Sequence, residues 1–196
     1  MTATVSRTPT LEDRRSAPPL RLSLTPTGFA PGLLDGAWWP RSRDLAAELP
    51  SLMAVLDPLW GRITRVTVNP THWPVIPRKV PVNGRVVKVG WFLAEQDPHK
   101  LLLFSYHVGR WDLLVIPPRA DPVSAAWLMA AASAPLRTST AIQLMDEAAR
   151  LRTVMETDRA VEAVWDSEGG QEALGSTSRP RIPTVTPLMP NPAKGI

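Results

Sequence analysis

Asn83-Gly84 constrains this chain more than any other pair of residues in it. The dipeptide lies between β-branched runs within the stretch from Val80 to Trp91. Asn followed by Gly supplies the two positive-φ positions that a tight two-residue turn requires. A chain carrying such a turn is built around a hairpin. A second pair of runs, Leu101 to Tyr106 and Trp111 to Ile116, flanks Gly109-Arg110 and predicts another hairpin, closed by Pro117-Pro118. Ile63 to Val68 predicts a further strand, with Val66 and Val68 on one face and Arg65 and Thr67 on the other; Asn69-Pro70 stops it. Leu20, Leu22 and Leu24 alternate with Arg21 and Ser23, again a period-two strand, ended by Pro26 and Gly28.

Helical patterns stand before and after these strands. Leu45, Leu49, Leu52, Met53 and Leu56 recur at helical spacing. Ser42 is in position to cap that helix, and Pro50 is expected to kink it. Asp121-Pro122 opens an Ala-rich helix from Val123 to Ala134, with Pro135 as its stop. Thr140 and Gln143 have the spacing of a capping box and start a longer helix running to about Trp165. Strands gathered in the middle with helices at both sides predict an α+β fold: an antiparallel sheet of about five strands with helices packed on one face. The other face, carrying Arg65, Lys88 and Trp91, is then exposed or a binding surface.

Proline is the compositional outlier, 22 of 196 residues, roughly twice the usual share. Many of these prolines lie near the ends. The expected organisation is a disordered tail over 1–17, an α+β domain over 18–135, a C-terminal helix over 136–166, and a disordered Pro-rich tail over 167–196. Hydrophobic residues make up 44% of the chain, enough for a core. There is no cysteine, which excludes disulfides, thiolate metal sites and cysteine nucleophiles. No signal-peptide run and no apolar stretch of about 18 residues is present, so a cytoplasmic protein without membrane contact is expected.

The net charge is +4. Residues 18–135 carry 12 Lys or Arg against 8 Asp or Glu, so the excess lies in the folded region but is mild. No nucleophile elbow, phosphate loop or dinucleotide fingerprint occurs. The three histidines, His72, His99 and His107, lack metal-ligand spacing, so neither a metal nor a cofactor is expected. Asp35, Asp57, Asp97, Asp112 and Asp121 adjoin Gly, Pro or strand ends, where turns and caps account for them.

The segments Asp35-Gly36-Ala37-Trp38-Trp39-Pro40-Arg41 and Leu45-Ala46-Ala47-Glu48-Leu49-Pro50 resemble a family of small actinobacterial proteins. Arg65-Val66-Thr67-Val68-Asn69-Pro70 with Trp73, and Arg110-Trp111-Asp112-Leu113-Leu114-Val115-Ile116-Pro117, are similar to it as well. The family is a domain of unknown function. The resemblance runs from about Arg21 to Ala132 and implies an actinobacterial, cytoplasmic origin, but no activity and no catalytic residue.

Eight tryptophans against one tyrosine and three phenylalanines is an unusual balance. Most are accounted for as core. Trp38 and Trp39 are the exception: neighbours on an extended segment point to opposite sides, so one enters the core while the other faces a groove, where Arg41 or Arg43 can stack on it. His72 and Trp73 follow in a loop near Arg78 and Lys79, where a histidine can act as a base or touch a phosphate. The candidate binding residues are therefore Trp38, Trp39, Arg41, Arg43, His72 and Trp73. The stripe Leu144, Ala148, Leu151, Met155 is about two heptads long and serves either its own domain or self-association; the oligomeric state is left open.

The reading placed first is a non-enzymatic binding or regulatory module with a Trp/Arg-rich surface and a protein partner. The second is a single-stranded nucleic-acid binder, with aromatics stacking bases and arginines meeting phosphates, although Glu95, Asp97 and Asp112 interrupt the basic face. The third is a small enzyme centred on His72.

Overall fold

The computed structural model describes residues 19–28, 32–92, 97–106 and 109–169. The tail expected over 1–17 lies outside these residues, as does 170–196 of the tail expected over 167–196, while 167–169 belong to the last helix. Compactness divides the chain into two units, Met1–Met155 and Glu156–Ile196.

In chain order the elements of the first unit are β1 (Leu22–Leu24), β2 (Gly36–Trp38), α1 (Leu45–Trp60), β3 (Ile63–Val68), a 3-10 turn (Pro70–His72), β4 (Lys79–Val82), β5 (Arg85–Trp91), β6 (Lys100–Ser105), β7 (Arg110–Val115) and α2 (Pro122–Ala132). A last helix, α3 (Ala141–Gly169), begins in the first unit and supplies the described part of the second, where residues 156–165 are all exposed.

The local signals act as the sequence predicts. Asn83 and Gly84 take φ of 45° and 76° and join β4 to β5. Asp121 accepts from the Ser124 amide at the start of α2. Thr140 and Gln143 bond each other's backbone N–H, a complete capping box. One cap differs: Asp44, not Ser42, starts α1, its carboxylate accepting from the Ala46 and Ala47 amides. Ser42 instead donates to Glu48 and accepts from the Asp44 amide. The helix also runs unbroken through Pro50 and Pro58. Its buried residues, Leu45, Leu49, Leu52, Met53, Leu56 and Trp60, hold it on the sheet, which outweighs the lost backbone bonds.

The sheet corrects the expectation in three ways. Among the described residues it has seven strands rather than about five, in the order β1-β2-β7-β6-β3-β5-β4. It is mixed, because β2 pairs parallel with β7 and β3 parallel with β5. The chain between β3 and β5 is long enough to place β4 outside and return β5 beside β3, a crossover that a simple meander lacks. Finally, helices pack on both faces. Trp38, Val66, Val87, Leu103 and Leu113 share one core cluster with α1. Ala37, Leu114 and Ile116 face the opposite way and share a second cluster with α2 and the first turns of α3. Adjacent strand residues point to opposite faces, so Ala37 and Trp38 end in different cores.

This second layer is short. Helix α2 lies against β1 and β2, and the second cluster takes in the end of β7 but no residue of β3, β4, β5 or β6. Among the described residues, no helix covers the other half of that sheet face.

Candidate anion-binding surface

The uncovered half can be read residue by residue from the pairing register. Val80, Val82, Val87, Val89, Val66, Leu101, Leu103, Leu113 and Val115 point into the α1 core, so their neighbours point out of the other face. In β3 a register shift between Ile63 and Arg65 turns Arg65 and Thr67 outward while keeping Ile63 inside. The register then puts Arg110 opposite Phe104, Phe104 opposite Arg65, Arg65 opposite Lys88, and Lys88 opposite Lys79. Five strands thus contribute one continuous row, with four cations and one aromatic ring. At strand spacings of 4.7–4.9 Å the row is about 19 Å long.

Arg110 is held at one end by Asp112, whose two oxygens accept from Nε at 2.7 Å and from Nη2 at 2.8 Å. That bonding raises its already high proton affinity. Asp112 also binds Lys100. Arg65, Lys88 and Lys79 have no ion pair among the described residues. Like charges directly opposite each other across strands repel, and here three stand in sequence.

The next positions along the strands form a groove of about 450 Å3, lined by Arg65, Thr67, Arg78, Lys79, Lys88, Val89, Gly90, Trp91 and Phe92. Gly90 opens it. A Cβ there would have only Thr67 Oγ1 within 4 Å, at 3.8 Å, so the glycine leaves room above the floor. Trp91 and Phe92 edge the groove, 42% and 51% exposed. The Arg78 guanidinium lies 5.9 Å from the Trp91 ring centre, within cation–π reach.

The residues singled out from sequence lie elsewhere. Trp38 is wholly buried and Trp73 is 3% exposed; their rings stack at 5.7 Å in the α1 core. Trp39 points to the other face and is partly buried beside α2. Its cation is Arg21, 3.6 Å over the ring and bonded to the Trp39 and Pro40 carbonyls, rather than Arg41 or Arg43. Arg41 donates to the Pro19 carbonyl, and Arg43 to the Thr71 and His72 carbonyls, tying down the turn that carries His72.

His72 meets His99 at 4.6 Å between ring centres. Burial, the neighbouring His99 and Arg43 push its pKa down to about 4, and burial lowers that of His99 too. The buried His72 Nε2 has no hydrogen-bond partner among the described residues. Asp97, the nearby acid, accepts instead from the His99 and Ile142 backbone amides. His72 thus packs against His99 with no carboxylate bonded to it among the described residues.

The segments that carry the family resemblance become neighbours in space. Gly36-Ala37-Trp38 pairs with Leu113-Leu114-Val115, and Asp35 clamps the start of that pair. Its amide donates to the Asp112 carbonyl and its carboxylate accepts from the Asp112 amide, each at 2.7 Å. Burial raises the Asp35 pKa. Residues 21–132, more than half of the chain, match a family of unknown function, DUF5994. The chain belongs to that family. No curated protein and no solved structure matches it. In this family member the matched region contains the whole sheet and the basic row. No helix among the described residues is long and apolar enough to cross a membrane.

Proposed function

We propose that this chain is a non-enzymatic binding module that holds an extended anionic ligand across the uncovered half of its sheet. The row of Lys79, Lys88 and Arg65 carries the reading. Three cations in register cost stability through mutual repulsion, and no described acid offsets them. An external polyanion supplies that missing charge, and the three cations give it about 10 Å of length within the five-strand row. Of the acids expected to interrupt the basic face, Asp97 and Asp112 do not fall between these cations, and Glu95 lies outside the described residues. Asp112 sits two residues along β7 from Arg110, and Asp97 accepts from the His99 and Ile142 backbone amides. The Trp/Arg-rich surface expected from the sequence is, in this proposal, Arg65, Arg78, Lys79 and Lys88 with Trp91 and Phe92, while Trp38 and Trp73 hold the core beneath.

The test is retention on immobilised heparin at about 50 mM salt, where phosphate-like contacts are strong. The wild-type chain is expected to bind, and Arg65→Glu with Lys88→Glu to flow through with a melting temperature no lower than that of the wild type, since a glutamate at position 88 then faces Lys79. Flow-through of the wild type, or equal retention of the double variant, refutes the proposal.

A further inference from the structure

Resting on the anion-binding reading, we infer that the ligand is a single-stranded nucleic acid, its phosphates on the cation row and a base in the groove beside Gly90. Four observations lead there. First, aromatic rings belong to the same patch as the cations: Phe104 stands in the row between Arg110 and Arg65, and exposed Trp91 and Phe92 edge the groove. A sulfated sugar, a polyphosphate or an acidic peptide has no flat π-face for such rings; every nucleobase does. Second, the groove volume of about 450 Å3 is that of a small-ligand site, and Gly90 keeps its floor open. Third, cation and ring are already paired at Arg78 and Trp91, so a base stacking on Trp91 brings its phosphate to an arginine. Fourth, shape excludes the duplex. A sheet face about 19 Å wide does not enter a major groove about 12 Å wide, whereas unpaired bases lie readily on an open sheet.

Arg65, Arg78, Lys79 and Lys88 meet the backbone, Trp91 stacks a base, and Thr67 Oγ1 on the groove floor offers a hydrogen bond to a base edge. Contacts of this kind favour single strands broadly rather than one sequence, over a site of about four nucleotides.

The experiment measures fluorescence anisotropy of a dye-labelled, mixed-sequence deoxyoligonucleotide of 12 residues. The comparisons are the same sequence as a duplex, polyphosphate of matched charge, and polyglutamate. The single strand is expected to bind best, with log affinity falling against log salt at a slope of about −2 to −3, the value for three to four phosphate contacts. Trp91→Leu is expected to cost the oligonucleotide at least fivefold while leaving polyphosphate within about twofold. Gly90→Leu, which fills the groove, is expected to act alike, so the test survives if either variant is poorly folded by circular dichroism. Arg65→Glu with Lys88→Glu is expected to remove both ligands. Duplex binding as tight as single strand, or equal losses of oligonucleotide and polyphosphate in the groove variants, overturns the inference. Polyphosphate or polyglutamate binding without oligonucleotide binding overturns it too, but leaves the anion-binding reading standing. Binding of none of the four overturns both.

Discussion

Gly36→Ala tests whether the join between β1 and β2 is understood. Gly36 has φ +149°, which L side chains rarely adopt, and it faces β1 across a narrow gap. An alanine Cβ would stand 2.2 Å from the Ser23 carbonyl oxygen and 2.9 Å from the Leu24 Cα. Close carbon–oxygen contacts begin near 3.3 Å, so the overlap is about 1 Å. Both atoms are backbone, so no side-chain rotation relieves it. The backbone conformation costs about 1–3 kcal/mol. Moving β1 away weakens a three-residue ladder, at about 1 kcal/mol per bond, and loosens Leu22 and Leu24 from the core. The expected loss is about 3–5 kcal/mol, a large part of the 5–15 kcal/mol typical of a domain. Gly84→Ala is the control: φ is +76° but nothing lies within 4 Å, so only the backbone conformation is charged, about 1 kcal/mol. Urea unfolding followed by tryptophan fluorescence gives both values. Equal losses, or a loss below about 1.5 kcal/mol at Gly36, would refute the steric argument.

Trp38→Ala is expected to cost about 3–5 kcal/mol, as is Trp73→Ala, because each empties a fully packed site; Trp39→Ala, half-buried under Arg21, should cost visibly less in the same assay. Asp57 binds Arg85 and the Ile63 amide, and Arg85 also reaches the Ile63 carbonyl, so Asp57→Ala and Arg85→Met should each destabilise by about 1–3 kcal/mol, with a double variant worth less than their sum. Folded His72 stays neutral down to about pH 4 while its unfolded counterpart takes a proton near 6.5. Its contribution is therefore present above pH 6.5 and is lost as the pH falls towards 4. His72→Asn should flatten the fall of the urea midpoint across that window, and an unchanged slope would rule the imidazole out as its source.

What the sequence disclosed and what it concealed divide along locality. Asn83-Gly84, Asp121-Pro122 and the Thr140–Gln143 box act on residues next to them, and each stands where the pattern puts it. Arg65 and Lys88 could be assigned to a face by alternation alone; Trp91, three positions after Lys88, could not, and reaches the groove edge only at the end of its strand. The alignment of Arg65 and Lys88 with Phe104, Arg110 and Lys79 was not legible either, because it depends on which strands pair and in what register. The same gap explains the antiparallel sheet drawn from hairpin signals: pairing of β2 with β7 joins residues far apart in sequence, and no turn announces it. Trp38-Trp39 drew notice through composition, and alternation sends the two rings to opposite faces. Arg21 as the partner of Trp39 was hidden because β1 brings it there from 18 positions away.

The parallel pairing of β2 with β7 also bears on how the chain is made. Asp35 closes on Asp112 across 77 residues. A ribosome adding roughly 5–20 residues per second takes about 4–15 s to cover that distance. Throughout that interval β2 has a partner on one edge at most, and the core that takes in Trp38 lacks Leu113 and Val115. The sheet completes from the middle only when the seventh strand leaves the exit tunnel, so translation that stalls before residue 110 releases a nascent chain with an adhesive, half-built centre.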